Sequence, residues 1–265
     1  MVVERGCCYT FWHPITKEFQ LDKFSLEHAP VDDFFKSQWQ KGTRCWWWLI
    51  YRWLLAICFF LGVLGSLVQH FNEGKWFIYL TDWGFFLCMY TSLFGAILVS
   101  VYHCNPQKFE TGSFILKFYW ASHWSTLVLA TMITFVYWLF IYPNDNASPT
   151  ALYNLWAHAF NSVLMLMDHM LVAFPTRILH FIYPFIAGVL YGLFSVIYYF
   201  AGGLDPGGNQ YIYEILDWSQ PGWALATVFG CILLVCVFCL LLFGLYKLRI
   251  FIYRKTNKSV LTFNT

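Results

Sequence analysis

Six runs of apolar residues dominate the chain, each near or above the roughly 20 residues that a helix needs to cross the hydrocarbon core of a bilayer. They cover about residues 46–69, 76–102, 114–142, 153–174, 177–201 and 222–246. Lipid cannot hydrogen-bond an exposed backbone, so runs of this kind fold as helices or as the strands of a closed barrel. None alternates with the period of two that barrel strands require. The expected fold is therefore all-α, a six-helix transmembrane bundle in an integral membrane protein of the plasma membrane or endoplasmic reticulum. Charged residues make up 11% of the chain, against about 25% in soluble domains. That balance argues against a soluble enzyme and against nucleic acid as a partner. Aromatic residues at 22% suit helices whose ends sit at both water interfaces.

Orientation follows from the placement of Lys and Arg. Those from Arg5 to Arg44, Lys108, Arg177 and those from Lys247 to Lys258 fall on one side, whereas Lys75 is alone on the other. The asymmetry predicts N-in and C-in with an even number of spans. The organisation is a cytosolic N-terminal arm (1–44), the six-helix transmembrane domain (45–247) and a basic cytosolic tail (248–265). Charges scattered from Glu4 to Lys41 leave no apolar core for a cleaved signal peptide, so the first span is expected to act as the signal. After Pro30 the arm reads either as a short amphipathic helix that offers Phe34, Phe35 and Trp39 to the membrane or a partner, or as a loosely ordered segment. The last external loop (202–221), rich in Gly and Pro, predicts a turn and then a short surface helix within Tyr211–Trp218 that caps the bundle. That loop is the expected surface for a protein partner. The tail, basic and aromatic, suits attraction to anionic membrane lipids. Asn146 heads an Asn-Ala-Ser sequon in the second external loop and is a glycosylation candidate. Cys7, Cys8, Cys45 and Cys104 lie where S-acylation is feasible on the cytoplasmic side. The remaining cysteines lie in apolar runs, where a thiol packs as a small hydrophobe, and no spacing suggests a metal site.

The segment NLWAHAFNSVLMLMDHMLVAF (154–174) is apolar enough to span, yet it carries His158, Asn161, Asp168 and His169. Such side chains at bilayer depth face the bundle interior. Helical spacing puts His158, Asn161 and Asp168 on one stripe, with His169 about 100° away from Asp168. Thr81 and Asp82 lie about 8 Å below the outer end of the second span, at the depth of His158. An outer polar layer of Thr81, Asp82, His158 and Asn161 can therefore form if the two helices are neighbours. In that layer His158 has the chemistry of a general base for the Thr81 hydroxyl, Asp82 would orient the imidazole, and Asn161 would donate to an oxyanion. A buried hydrogen-bond network that fixes helix register is the alternative. An inner layer is expected from Arg52, His123, Asp168, His169 and His180. There Arg52 either pairs with Asp168 or snorkels to the interface. Gly188 and Gly192 have the GxxxG spacing of close helix contacts. Two haems would need histidines paired across helices at two depths, and His158 has no such partner, so no cofactor and no metal is assigned.

Several short motifs carry a family resemblance. KSQWQ (36–40), YRW (51–53), HAFN (158–161) and YIYEILDW (211–218) resemble the rolling stone family of multi-pass membrane proteins, which implies a role in myoblast fusion and no biochemical activity. KWFIYLTDW around Thr81, the helix with HAFN and YIYEILDWSQPGW are similar to segments of the androgen-induced and androgen-dependent transmembrane hydrolases. Those six-helix enzymes cleave fatty-acid esters of hydroxy fatty acids with an intramembrane threonine and a histidine. The second resemblance implies Thr81 as nucleophile but sets Asn161 where the histidine would stand. Asparagine accepts no proton at useful pKa, so this chemistry would require His158, one turn earlier, as base. The expected function is accordingly that of a rolling-stone-like membrane protein acting by interaction, in cell fusion. A threonine hydrolase of fatty-acid esters is the alternative.

Overall fold

The computed structural model of the chain describes residues 17–144 and 152–261. The described residues form helices and turns with no strand, so the all-α expectation holds. In chain order the helices are α1 (Trp46–His70), α2 (Leu80–Cys104), α3 (Phe114–Val136, prolonged by a π turn at Tyr137–Ile141), α4 (residues 152–171), α5 (Ile182–Phe200) and α6 (Pro221–Leu261). Within α4, α-helical Leu152–Leu155 and Asn161–Leu171 flank a π turn at Trp156–Phe160.

Five of these helices are long and apolar enough to cross a membrane. The six-span expectation meets its exception in α4, whose interior polar residues lower its hydropathy. Asn154, His158, Asn161, Asp168 and His169 are all buried in the protein, so the face that lowers the hydropathy is one that other helices cover.

The bundle has α3 at its centre, in contact with α2, α4, α5 and α6. Residues Thr126 to Ala130 of α3 are buried without a break, as befits a helix covered on every side. Around it Phe59, Phe85, Leu127, Met165 and Leu242 form the main core. Thr91 of α2 and Thr126 of α3 share a hydroxyl hydrogen bond of 2.9 Å, a polar link between packed helices. The outward faces of α1, α5 and α6 expose Leu54, Phe60, Leu190, Ile197, Phe229 and Leu233, the surface that lipid would cover. Chain reversals follow residue chemistry. Between α1 and α2 the backbone turns through positive φ at Asn72, Glu73 and Gly74, and α6 begins on Pro221, whose missing N–H is not needed at a helix start.

The two ends of the bundle differ. At the arm end, residues 17–44 fold into 3-10 turns over the helix termini rather than into an amphipathic helix. Phe34 and Phe35 are buried among Tyr102, Trp120 and Phe174, so the chain's own core occupies the aromatic face expected to meet a membrane or partner. Trp39 keeps part of its ring exposed, and its Nε1–H donates to Met170 O at 2.9 Å. Arg177 clamps the arm by donating to the carbonyls of Ser25 and Glu27, with its guanidinium over the Trp120 ring at 4.9 Å. Asp33 accepts from His28 and Lys36, both at 2.7 Å; burial opposes its ionisation, but these two partners hold its carboxyl below the ordinary carboxylate range. At the opposite, loop end, the segment after α5 forms one 3-10 turn, Glu214–Leu216, in place of a surface helix. Ile212 and Leu216 of this loop point inward and are buried.

Asn146, Cys7 and Cys8 lie outside the described residues. Cys45 is half-buried and Cys104 exposed, both as free thiols. Gly188 and Gly192 meet nothing within 4 Å where a side chain would start. The GxxxG spacing therefore makes no helix contact within the chain. The basic tail continues α6 without a break to Leu261.

Candidate functional site

The polar residues of α4 divide between two ends. Near the arm end, Asp168 accepts from Arg52 Nη1 at 2.6 Å and from the Tyr51 hydroxyl at 3.2 Å through Oδ1, and pairs through Oδ2 with His123 Nε2 at 3.0 Å. Arg52 Nη2 donates to the Tyr119 hydroxyl at 2.8 Å. Arg52 is 1% exposed, so pairing with Asp168 prevails over snorkelling. Room for the guanidinium comes from Gly95, where an added Cβ would stand 1.9 Å from Arg52 Nη2.

The other two members expected in this layer lie elsewhere. His169 turns to α6, with Nε2 3.1 Å from Leu242 O, and its own carbonyl accepts from Arg249 Nη1 at 2.5 Å. Arg249 is fully buried and also donates to Phe174 O at 2.9 Å. His180 faces the arm, 3.3 Å from Ser25 O and against the Trp120 ring. Sequence reasoning missed Tyr51, Tyr119 and Arg249. Of these, Arg249 reads from the sequence as one more cation of the basic tail, next but one to Lys247, so nothing there singles it out for burial.

The loop end is differently built. Two cavities meet there. A polar one of about 640 Å³ is lined by Thr81, Asp82, Tyr153 and His158, with Tyr137 and Tyr213 between it and its neighbour. An apolar one of about 310 Å³ runs among α2, α3, α5 and α6, past Leu129, Gly188 and Val228. Thr81, Tyr137, Ile141 and Tyr213 border both. Thr81, Asp82 and His158 are thus brought to one cavity. Asn161 is not. Its Nδ2 donates to Ala157 O at 2.8 Å and its Oδ1 accepts from Ser162 N at 2.7 Å, which makes it a fully buried helix-packing residue.

Two π turns shape this site. One places Tyr137 in α3 and the other His158 in α4, and their rings stack with centroids 3.4 Å apart and planes 3° apart. π turns are inserted irregularities that recur at functional positions. Trp138 Nε1 donates to His158 O at 3.0 Å, which satisfies a carbonyl within the wide turn. His158 Nδ1 is buried without a hydrogen-bond partner. Asp82 is 3% exposed, and its side chain accepts one long hydrogen bond of 3.4 Å from Tyr153. Its place in the first turn of α2 eases that burial, because a helix N-terminus favours negative charge. No hydrogen bond joins Thr81 to His158 among the described residues, so the geometry is that of two facing groups rather than an engaged nucleophile–base pair.

The last loop closes the site. Tyr213 accepts from Thr81 N at 3.4 Å, and desolvation pushes its phenol up to about 12, so it stays protonated at neutral pH. Lys75 Nζ donates to Asp205 O at 2.8 Å, Thr227 Oγ1 to Ile215 O at 2.5 Å, and Trp218 Nε1 to Ser195 Oγ at 3.1 Å. These bonds tie the loop to the tops of the helices.

Comparison with known proteins places this architecture in a family. No solved structure matches the chain. The Drosophila melanogaster protein called Protein rolling stone is 40% identical over 252 residues, which covers 90% of this chain and 91% of that protein. A family model described as Protein rolling stone matches residues 7–262. The chain is a membrane protein and belongs to the rolling stone family.

Proposed function

We propose that this rolling stone family member acts by interaction and that the ligand it holds is an amphipathic lipid, bound at the loop end. The observation that carries the reading is the junction of the two cavities at Thr81, Tyr137 and Tyr213. A single-chain lipid passing through that junction would lay its tail in the apolar cavity and its polar end beside Asp82 and His158. A mostly apolar pocket of a few hundred Å³ with a few convergent polar groups has the usual form of a small-molecule site. With the N-terminus inside, as the Lys and Arg placement predicts, the loop end faces outward. A lipid-dependent surface at residues 202–221 would then meet an opposing cell, which is the setting that the family resemblance to cell-fusion proteins implies. That role requires the plasma membrane.

Ester hydrolysis is the second reading, and the position of Thr81 on both cavities favours it. The missing Thr81–His158 hydrogen bond counts against it in this state, although such contacts can tighten only when substrate binds.

The test is photo-crosslinking of the full chain in lipid nanodiscs with a photoactivatable single-chain lipid. Gly188→Leu combined with Gly192→Leu would fill the apolar cavity and is expected to cut crosslinking about tenfold, a loss of roughly 1.4 kcal/mol in binding. Crosslinking that persists at full strength in that variant rules out the lipid reading. A fluorophosphonate lipid probe separates the hydrolase reading, since labelling that Thr81→Ala abolishes would identify a nucleophile.

A further inference from the structure

We infer that the polar cavity recognises a positively charged ammonium head, so that the preferred ligand is a single-chain cationic lipid. The inference deepens the lipid-binding reading and rests on it. Three observations carry it.

The first is the wall. Tyr79, Tyr137, Tyr153 and Tyr213 all line the cavity, together with His70 and His158. Their rings form a linked series. His70 lies 4.1 Å from Tyr153, Tyr153 6.3 Å from His158, His158 3.4 Å from Tyr137, and across the cavity Tyr79 lies 5.6 Å from Tyr213. Aromatic faces attract cations through the negative region above the ring, within about 6 Å of its centre, and several such faces together form the cage that binds quaternary ammonium groups.

The second is charge. Asp82 and Glu214 line the cavity, and among the described residues no Lys or Arg does. The one lysine of the loop end, Lys75, is turned to Asp205 O. A phosphate or carboxylate head would find two acids and no fixed cation.

The third is the state of Asp82. It is buried, and among the described residues no cation lies within ion-pair distance of it, in contrast to Asp168. A buried carboxylate is costly unless paired. An ammonium head entering over the tyrosines would supply the missing partner, and burial of its chain in the apolar cavity would hold it there.

The experiment compares four twelve-carbon probes of one chain length on the full chain in nanodiscs, as competitors of a photoactivatable fatty alcohol: dodecyltrimethylammonium, dodecylamine, dodecanol and dodecanoate. Both ammonium probes are expected to compete at concentrations about tenfold lower than the alcohol, and dodecanoate at higher ones. A quaternary head that outcompetes the primary amine assigns the cage to the rings, whereas the reverse order assigns it to Asp82. Asp82→Asn should bring the ratio of ammonium to alcohol affinity close to one. Because the readout is a ratio, a variant that is only partly folded still reports it. If the alcohol crosslinks but the ammonium probes compete no better than it does, the cationic-head proposal is overturned while the lipid cavity stands. If the alcohol itself fails to crosslink, the lipid-binding reading falls and this proposal with it.

Discussion

The two ends of this bundle use the same side chains for opposite purposes. At the arm end Asp168 is surrounded by Arg52, Tyr51 and His123, and its charge is cancelled on the spot. At the loop end Asp82 has one tyrosine at 3.4 Å and a cavity beside it. Both carboxylates are almost fully buried, so depth does not separate them; partnership does. The Asp168 carboxylate is fully engaged and has no capacity left for anything else, although Arg52 Nε beside it is buried without a hydrogen-bond partner. An unsaturated carboxylate stores a cost that a ligand can relieve. Polar residues inside a membrane helix therefore mark the interior, and a buried carboxylate beside a cavity, rather than an unmet hydrogen bond alone, is what supports the ligand site proposed at the loop end.

The comparison can be broken by measuring stability at both ends in one detergent. The largest effect is expected from Arg52→Ala or Asp168→Asn. Removing one partner of a buried ion pair leaves the other uncompensated, at a cost of about 3–5 kcal/mol, read as a large fall in thermal midpoint. Gly95→Ala should follow, since its new Cβ would overlap the Arg52 guanidinium; overpacking of this kind costs about 1–3 kcal/mol. The smallest effect, and of opposite sign, is expected from Asp82→Asn. Neutralising a lone buried carboxylate should leave the midpoint unchanged or raise it by up to about 1 kcal/mol equivalent, since sites built for binding tend to give up stability. An Asp82→Asn protein that unfolds as readily as Asp168→Asn would mean that the loop end is structural too.

Much of this was legible in the sequence, and where it was not, the reason is physical. Arg52 and Asp168 could be matched because each is too costly in lipid to stand alone. Thr81, Asp82 and His158 could be brought together by depth along two helices. Asn161 was misplaced because three residues return to nearly the same face only on a regular α-helix. His158 lies within the π turn at Trp156–Phe160 and Asn161 opens the α-helical segment after it, and the wider winding of that turn swings them apart. Nothing in the residue types announces such a turn. His169 and His180 were pulled from the inner layer by groups in Arg249 and the arm, whose folding back onto the bundle depends on contacts more than a hundred residues away in the chain. Gly188 and Gly192 show the same limit, as a motif for helix contact became empty space beside a cavity.

The length of α6 has a mechanical consequence. With 41 residues at 1.5 Å each it is about 60 Å long, twice the hydrocarbon thickness of about 30 Å, so it works as a lever with a fulcrum inside the bundle. Near one end it borders the apolar cavity through Val228, Cys231 and Val235; farther along, Arg249 bolts it to the carbonyls of His169 and Phe174. The longer arm of the lever, Pro221 to Arg249, borders the apolar cavity, and the shorter one, Ile250 to Leu261, lies beyond the bolt. Beyond it Tyr253 packs against Trp39 of the arm, ring centroids 6.1 Å apart, while Arg254 and Lys255 stay exposed, so a tilt at the cavity would reach the opposite side as a smaller shift of positive charge against the arm.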